Sequence, residues 1–241
     1  MIKIEQEFDQ CVDEIGGIKI SELVGSSPDF FNADYLFPQY EVIAELKCLE
    51  EDKIKDKSLV SKASAIYLRY LSEGKAPKIL FGTQKLNTTG FPEEFTHEIT
   101  ELYRKSIHTT IKKANNQIKQ SKDRLKMENH HGLLILANDR HTALAPANAM
   151  WILHDTFRRY SFSSINTVLY FTANLKAEHP EIPQDILVWI PVERDLAKSC
   201  PEELLSRLQK SWFKKMSNLT NEPVFEYHVD DSNVINDISN K

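Results

Sequence analysis

The sequence predicts an α/β protein built on a single mixed β-sheet with helices on both faces. Three observations carry this. The run GLLILAND (132–139) is continuously apolar until its last two residues, the pattern of a central strand buried on both sides. Segments with helical and strand spacing alternate along the chain in the order α-β-β-α-α-β-α-β-β-α-β, which fits helices packed on a shared sheet. No Gly/Ser/Pro-rich stretch separates two units, so residues 1–230 read as one domain, with 231–241 expected from composition to be a flexible polar tail.

Taken in order, residues 4–15 place Ile4, Phe8, Cys11, Val12 and Ile15 on one helical face, and Gly16-Gly17 ends that helix. Ser26-Ser27-Pro28-Asp29 reads as a turn. The runs Phe31–Phe37 and Tyr40–Leu49, separated by Pro38-Gln39, read as a hairpin. Residues 58–72 have helical spacing. Gly74 and Pro77 interrupt, and KILFG (78–82) is a short strand. From Glu93 to Lys126 there is no glycine or proline, and the apolar residues keep helical spacing. This predicts one long helix, with Thr109-Thr110 as the place where it could break. Pro146 opens a helix over 147–160. SINTVLYF (164–171) and DILVWIP (185–191) are two further strands. A helix over 201–216 begins with Pro-Glu-Glu, which suits its N-terminus. Residues 223–229 form an edge strand.

Composition narrows the class. Of 241 residues, 41% are hydrophobic and 27% charged, as in ordinary globular proteins, and the chain can build a core without disulfides. No apolar run reaches the roughly 20 residues of a membrane helix, and the N-terminus has no apolar signal segment. Cys11, Cys48 and Cys200 are odd in number and far apart, which fits reduced thiols and a cytoplasmic location rather than a disulfide or zinc framework. The net charge of −5 hides an asymmetry. Residues 1–60 carry 14 Asp/Glu against 6 Lys/Arg, whereas residues 104–126 carry eight Lys/Arg against Asp123 alone. The first suits cations and the second suits phosphates. No P-loop or GxGxxG is present, so no nucleotide cofactor is expected.

The chemistry concentrates between Asn32 and Lys47. Val42, Ile43, Ala44 and Leu46 make an apolar strand, interrupted by Glu45 and Lys47. Residues i and i+2 of a strand share a face. A carboxylate and an ammonium therefore emerge side by side from a strand expected to be buried, where each costs free energy unless paired or coordinated. Asp34, eleven residues before Glu45 on the other arm of the hairpin, can bring a second carboxylate beside the first. Asp34 and Glu45 suit Mg²⁺, a hard cation that takes oxygen ligands, and the Leu46 carbonyl offers another. Lys47 could orient a water or stabilise charge on a phosphate under attack. The plainer reading is a cross-strand ion pair on a solvated face.

The segment resembles the PD-(D/E)xK nuclease superfamily, which includes restriction endonucleases. Asp34 matches the motif aspartate, and Glu45-Leu46-Lys47 matches the acid-x-Lys triplet. Ala33 stands in the proline slot, which leaves the ligand intact. The resemblance covers roughly residues 1–175. It implies a restriction-endonuclease-like αβββαβ core with a helical insertion. The third core strand is either GLLILAND or, preferably, KILFG. It also implies an Mg²⁺-dependent nuclease, with Mn²⁺ able to substitute, that acts on DNA and leaves a 5′-phosphate and a 3′-hydroxyl. Asp34, Glu45 and the Leu46 carbonyl would hold metal, and Lys47 would assist the attacking water. Glu5 on the first helix, with Glu7 and Glu14 as rivals, would be a further metal ligand. Gln117 on the long helix would be a further catalytic residue. With no separate recognition domain in sight, a homodimer or a targeting protein partner could supply specificity, in a defence or repair setting. The alternative is a non-catalytic nucleic-acid- or protein-binding module on the same scaffold.

Overall fold

The structure, a computed structural model, describes residues 2–25, 29–50, 57–76, 91–141, 146–174, 176–194, 198–224 and 238–240. The apolar face at Ile4, Phe8, Cys11 and Val12 makes α1 (Ile4–Glu14). A two-residue strand β1 (Ile18–Lys19) and a short helix α2 (Ile20–Val24) follow. The expected hairpin is β2 (Tyr35–Phe37) and β3 (Val42–Glu50), joined through a 3₁₀ turn at Pro38–Tyr40. Its first arm is shorter than predicted, because residues 31–33 bond to a helix instead of pairing as a strand.

Helix α3 (Lys57–Ser72) leads to α4 (Glu93–Leu125), 33 residues without a break. The Thr109 and Thr110 hydroxyls donate to the carbonyls of Lys105 and Ser106 one turn back, so these threonines are accommodated inside the helix. Glu93 and Glu94 in the first turn, with Lys122 and Arg124 in the last, complement its dipole. Next come β4 (His131–Asp139), α5 (Pro146–Arg159) and β5 (Thr167–Thr172). The predicted strand over 185–191 is instead the meeting of two. β7 (Ile182–Ile186) pairs with β6 (Ala177–His179) in a small sheet, and β8 (Trp189–Glu193) pairs with β5 in the main one. Helix α6 (Glu202–Thr220) follows. The tail expected to be loose ends in β9 (Ser239–Asn240), which pairs with β6. KILFG and residues 225–229 of the predicted edge strand lie outside the described residues, as does most of the 26–29 turn.

The main sheet is mixed, with strand order β1-β2-β3-β4-β5-β8. β1–β2–β3 are antiparallel, β3–β4–β5 are parallel, and β8 closes the edge antiparallel. β4 sits centrally and seven of its nine residues are buried, as its apolar run predicts. Alternation along β3 sends Val42, Ala44 and Leu46 to one core with α1 and α6, where Phe8, Phe171 and Trp212 cluster. Ile43 and Leu49 go to the other core, under α4 and α5. Gly132 is required where β4 passes the Ser164 carbonyl, since a Cβ there would stand 1.7 Å from that oxygen.

Candidate metal centre

The pairing Tyr35↔Ala44 continues one residue outward to set Asp34 opposite Glu45. Both carboxylates, with Lys47 two residues on, lie on the face of the sheet that α4 covers. The three residues singled out from sequence are therefore together. Lys47 Nζ donates to Glu45 Oε1. The Leu46 N–H donates to Asp34 Oδ2 at 2.8 Å. In a strand the N–H and C=O of one residue point the same way, so the Leu46 carbonyl faces the side occupied by Asp34. β2 has ended there, and that carbonyl is directed away from β4.

The Glu45 side chain is 0% exposed, and that of Lys47 is 26% exposed at the mouth of the site. Glu45 Oε2 is buried and has no hydrogen-bond donor among the described residues. Burial pushes the Glu45 carboxyl up to about 8, helped by the negative charge of Asp34 and opposed by Lys47. Burial also raises Asp34, against the Leu46 N–H and the charge of Lys47. Two desolvated carboxylates thus lie within hydrogen-bond reach of each other and face one lysine, with Glu45 Oε2 lacking a donor among the described residues.

Asp155 is a buried carboxylate compensated by cations, although its Oδ2, like Glu45 Oε2, makes no hydrogen bond among the described residues. Burial pushes it up, but Arg159 at 2.7 Å and Arg158 at 3.1 Å outweigh that and hold it below the usual range. Among the described residues, the Asp34–Glu45 pair lacks a second such cation. A proton shared at the pair or a divalent metal would supply it, and the orphaned Glu45 oxygen fits a hard cation.

Asp34 is carried on a backbone segment tied to α4. The Phe31 N–H donates to Gln120 Oε1 at 3.0 Å, and the Ala33 N–H donates to Ser121 Oγ at 2.7 Å. Gln117 Nε2 donates to the Asn32 carbonyl at 3.1 Å. Gln117, expected to be catalytic, therefore anchors the loop that positions Asp34. Ser121 and Gln120 were not singled out from sequence, although Gln117 and Ser121 share a helix face by their i, i+4 spacing.

Glu5, expected as a metal ligand, is exposed on α1, which packs on the opposite face of the sheet. Its negative charge nevertheless acts on Asp34, as the one nearby charge that adds to burial in raising it. Among the described residues, no group of three or more His, Cys, Asp or Glu is placed to hold a metal, so the expected Asp34–Glu45–Glu5 set is not assembled. The rivals Glu7 and Glu14 pair with Lys215 and Lys214 on α6.

The basic strip divides. Arg104 is buried against Glu101 and Tyr160, and Lys122 is buried with its Nζ on the Ser164 carbonyl. Burial lowers Lys122 to about 8. Lys105, Lys112, Lys113, Lys119, Arg124 and Lys126 remain exposed.

No family model, curated protein or solved structure matches this chain. No helix among the described residues is long and apolar enough to cross a membrane.

Proposed function

We propose that this chain is a Mg²⁺-dependent nuclease acting on DNA, with a restriction-endonuclease-like core and a site at Asp34, Glu45 and Lys47. One observation carries the reading: a fully buried glutamate faces a second desolvated carboxylate, has an oxygen without a donor, and has one lysine at the mouth of the site. A merely structural ion pair has no use for the second carboxylate, and that carboxylate raises the cost of burial. Asp34, Glu45 and the Leu46 carbonyl would hold the metal. Bound there, it would supply Lewis-acid polarisation of a phosphate and an acidified water. Lys47 places a positive charge beside the carboxylates, where it orients the attacking water or meets charge developing on the phosphate. The α4 anchors keep Asp34 in register with Glu45.

The topology supports the same reading once the five-residue helix α2 between β1 and β2 is set aside: α1, β1, β2, β3, the α3–α4 pair and β4 then follow the order αβββαβ, with β4 parallel to β3. In this assignment β1 is the first core strand and GLLILAND the last. That differs from the preferred alignment, which used KILFG as the third strand.

The test is cleavage of supercoiled plasmid and of short single- and double-stranded DNA in Mg²⁺, Mn²⁺ or EDTA. Wild type and Lys47→Ala are purified identically. Metal-dependent cleavage by wild type alone supports the proposal, whereas equal cleavage by both removes the chemistry from this site. The alternative, a non-catalytic nucleic-acid- or protein-binding module, draws on the incomplete carboxylate set. It predicts DNA or protein binding without cleavage in any metal.

A further inference from the structure

Phe31 is 76% exposed, the most exposed of the large hydrophobic residues described, and it stands three residues before Asp34. Single exposed apolar side chains are ordinary. This one is unusual in how it is held. Its own N–H is fixed to Gln120, and the next two residues are fixed to Gln117 and Ser121. The backbone is thus immobilised in three consecutive places while the ring projects into solvent. Beside it, the Arg124 guanidinium lies 5.7 Å from the centre of the Phe30 ring and pairs with Asp29, so a cation stands at the same rim.

Helix α4 adds a track of positive charge. Lys105, Lys112 and Lys119 are all exposed and recur every seven residues, and the exposed Lys126 caps the helix just beyond them. Such a repeat drifts only about 20° per step, so the first three form one line along the helix. That line lies roughly a quarter-turn around the helix from Gln120, which holds Phe31. Its Lys119 stands next in sequence to Gln120, the residue that holds Phe31.

We propose that Phe31 is a stacking platform for an unpaired base next to the phosphate at the Asp34–Glu45 site, so that the substrate is single-stranded or locally opened DNA rather than continuous duplex. This rests on the nuclease reading for the phosphate's fate but not for the binding. An aromatic face accepts any base, and its grip adds to that of a basic track. A ring held by a fixed backbone loses little freedom when a base lands on it.

The experiment uses the full chain and a fluorescein-labelled oligothymidylate, with its duplex of equal length as the comparison. Binding is read by anisotropy in EDTA and cleavage in Mg²⁺. Phe31→Ala should weaken single-strand binding by about ten-fold, within the range for one stacked base, and leave duplex binding unchanged. Phe31→Trp should retain single-strand binding, and its fluorescence should be quenched by the oligonucleotide. Equal binding by wild type and Phe31→Ala overturns the proposal. So does an equal loss on single strand and duplex, or no single-strand binding by wild type. Phe31-dependent binding without cleavage in any metal would overturn the nuclease reading and leave the platform standing. Cleavage of single strands by Phe31→Ala at the wild-type rate, with unchanged binding, would do the reverse.

Discussion

Replacing Glu45 with glutamine should change how the metal-free protein responds to pH. The folded state holds this carboxyl at about 8, by burial first and by Asp34 second, against 4.5 in the unfolded chain. Between those values the unfolded state binds fewer protons, so stability falls as pH rises. Two other buried groups titrate in the opposite sense. His131, lowered to about 4 by burial, makes stability rise with pH up to its unfolded value near 6.5. Lys122, lowered to about 8, does so above that value. The window from about pH 6.5 to 8 is therefore the one in which Glu45 dominates. At 1.36 kcal/mol per proton per pH unit, and with Glu45 half-ionised at the top of the window, its fall is about 1.5 kcal/mol, which the tails of the His131 and Lys122 titrations reduce to about 1 kcal/mol. That is a measurable part of a domain stability of roughly 5–15 kcal/mol. The whole penalty for ionising Glu45 is on the order of 4–5 kcal/mol. Urea unfolding in EDTA at several pH values measures this directly. Wild type should lose stability through the window, and Glu45→Gln should not. Parallel profiles for the two proteins would refute the reasoning, because they would mean that Glu45 ionises without penalty and needs no cation.

Three further outcomes are expected. Ser121→Ala leaves the buried Ala33 N–H without its acceptor, and should cost roughly 1–3 kcal/mol in urea unfolding. It should also weaken Mn²⁺ binding, because Asp34 follows directly. Gly132→Ala drives a Cβ into the Ser164 backbone oxygen, and should cost more than about 3 kcal/mol by thermal or urea unfolding, since neither strand nor loop can yield cheaply. Trp212→Ala removes a fully buried ring that contacts Phe8 and Phe171 on the α1–α6 side of the sheet. It should cost about 3–5 kcal/mol while leaving metal affinity per folded molecule unchanged, as read by calorimetry.

The candidate site was more legible in the sequence than the fold around it. Glu45 and Lys47 stood out because charge inside an apolar strand is costly, and the period of two put them on one face. Asp34 joined them because the hairpin register follows from the short connection at Pro38–Tyr40. β4 was legible because a strand buried on both faces leaves a continuous apolar run. β1 and β9 have two residues each and carry no periodicity. The boundary between β7 and β8 was hidden because an apolar run does not record a change of pairing partner. It falls at Leu187-Val188, where Val188 bonds to Thr172 and redirects the chain. Pro191 did not break β8, because this is an edge strand. Gln117 was found but given a different role, since spacing puts a side chain on a helix face without saying whether a carboxylate or a loop backbone meets it. Glu5 was assigned by analogy of position, and α1 lies on the other side of the sheet. The fixing of residues 31–33 by Gln117, Gln120 and Ser121 left no sequence signal, because it joins positions 85 or more residues apart.

Whether the buried carboxylate pair is a divalent-cation site is tested most directly by Mn²⁺ titration of the full chain, read by calorimetry in buffers of different ionisation enthalpy. Wild type should bind saturably at pH 7 and release about one proton, because the metal displaces the proton held at Glu45. Asp34→Asn and Glu45→Gln should abolish that binding, while Lys47→Ala should retain it. Absence of saturable binding in wild type, or binding that survives both carboxylate substitutions, would contradict the account.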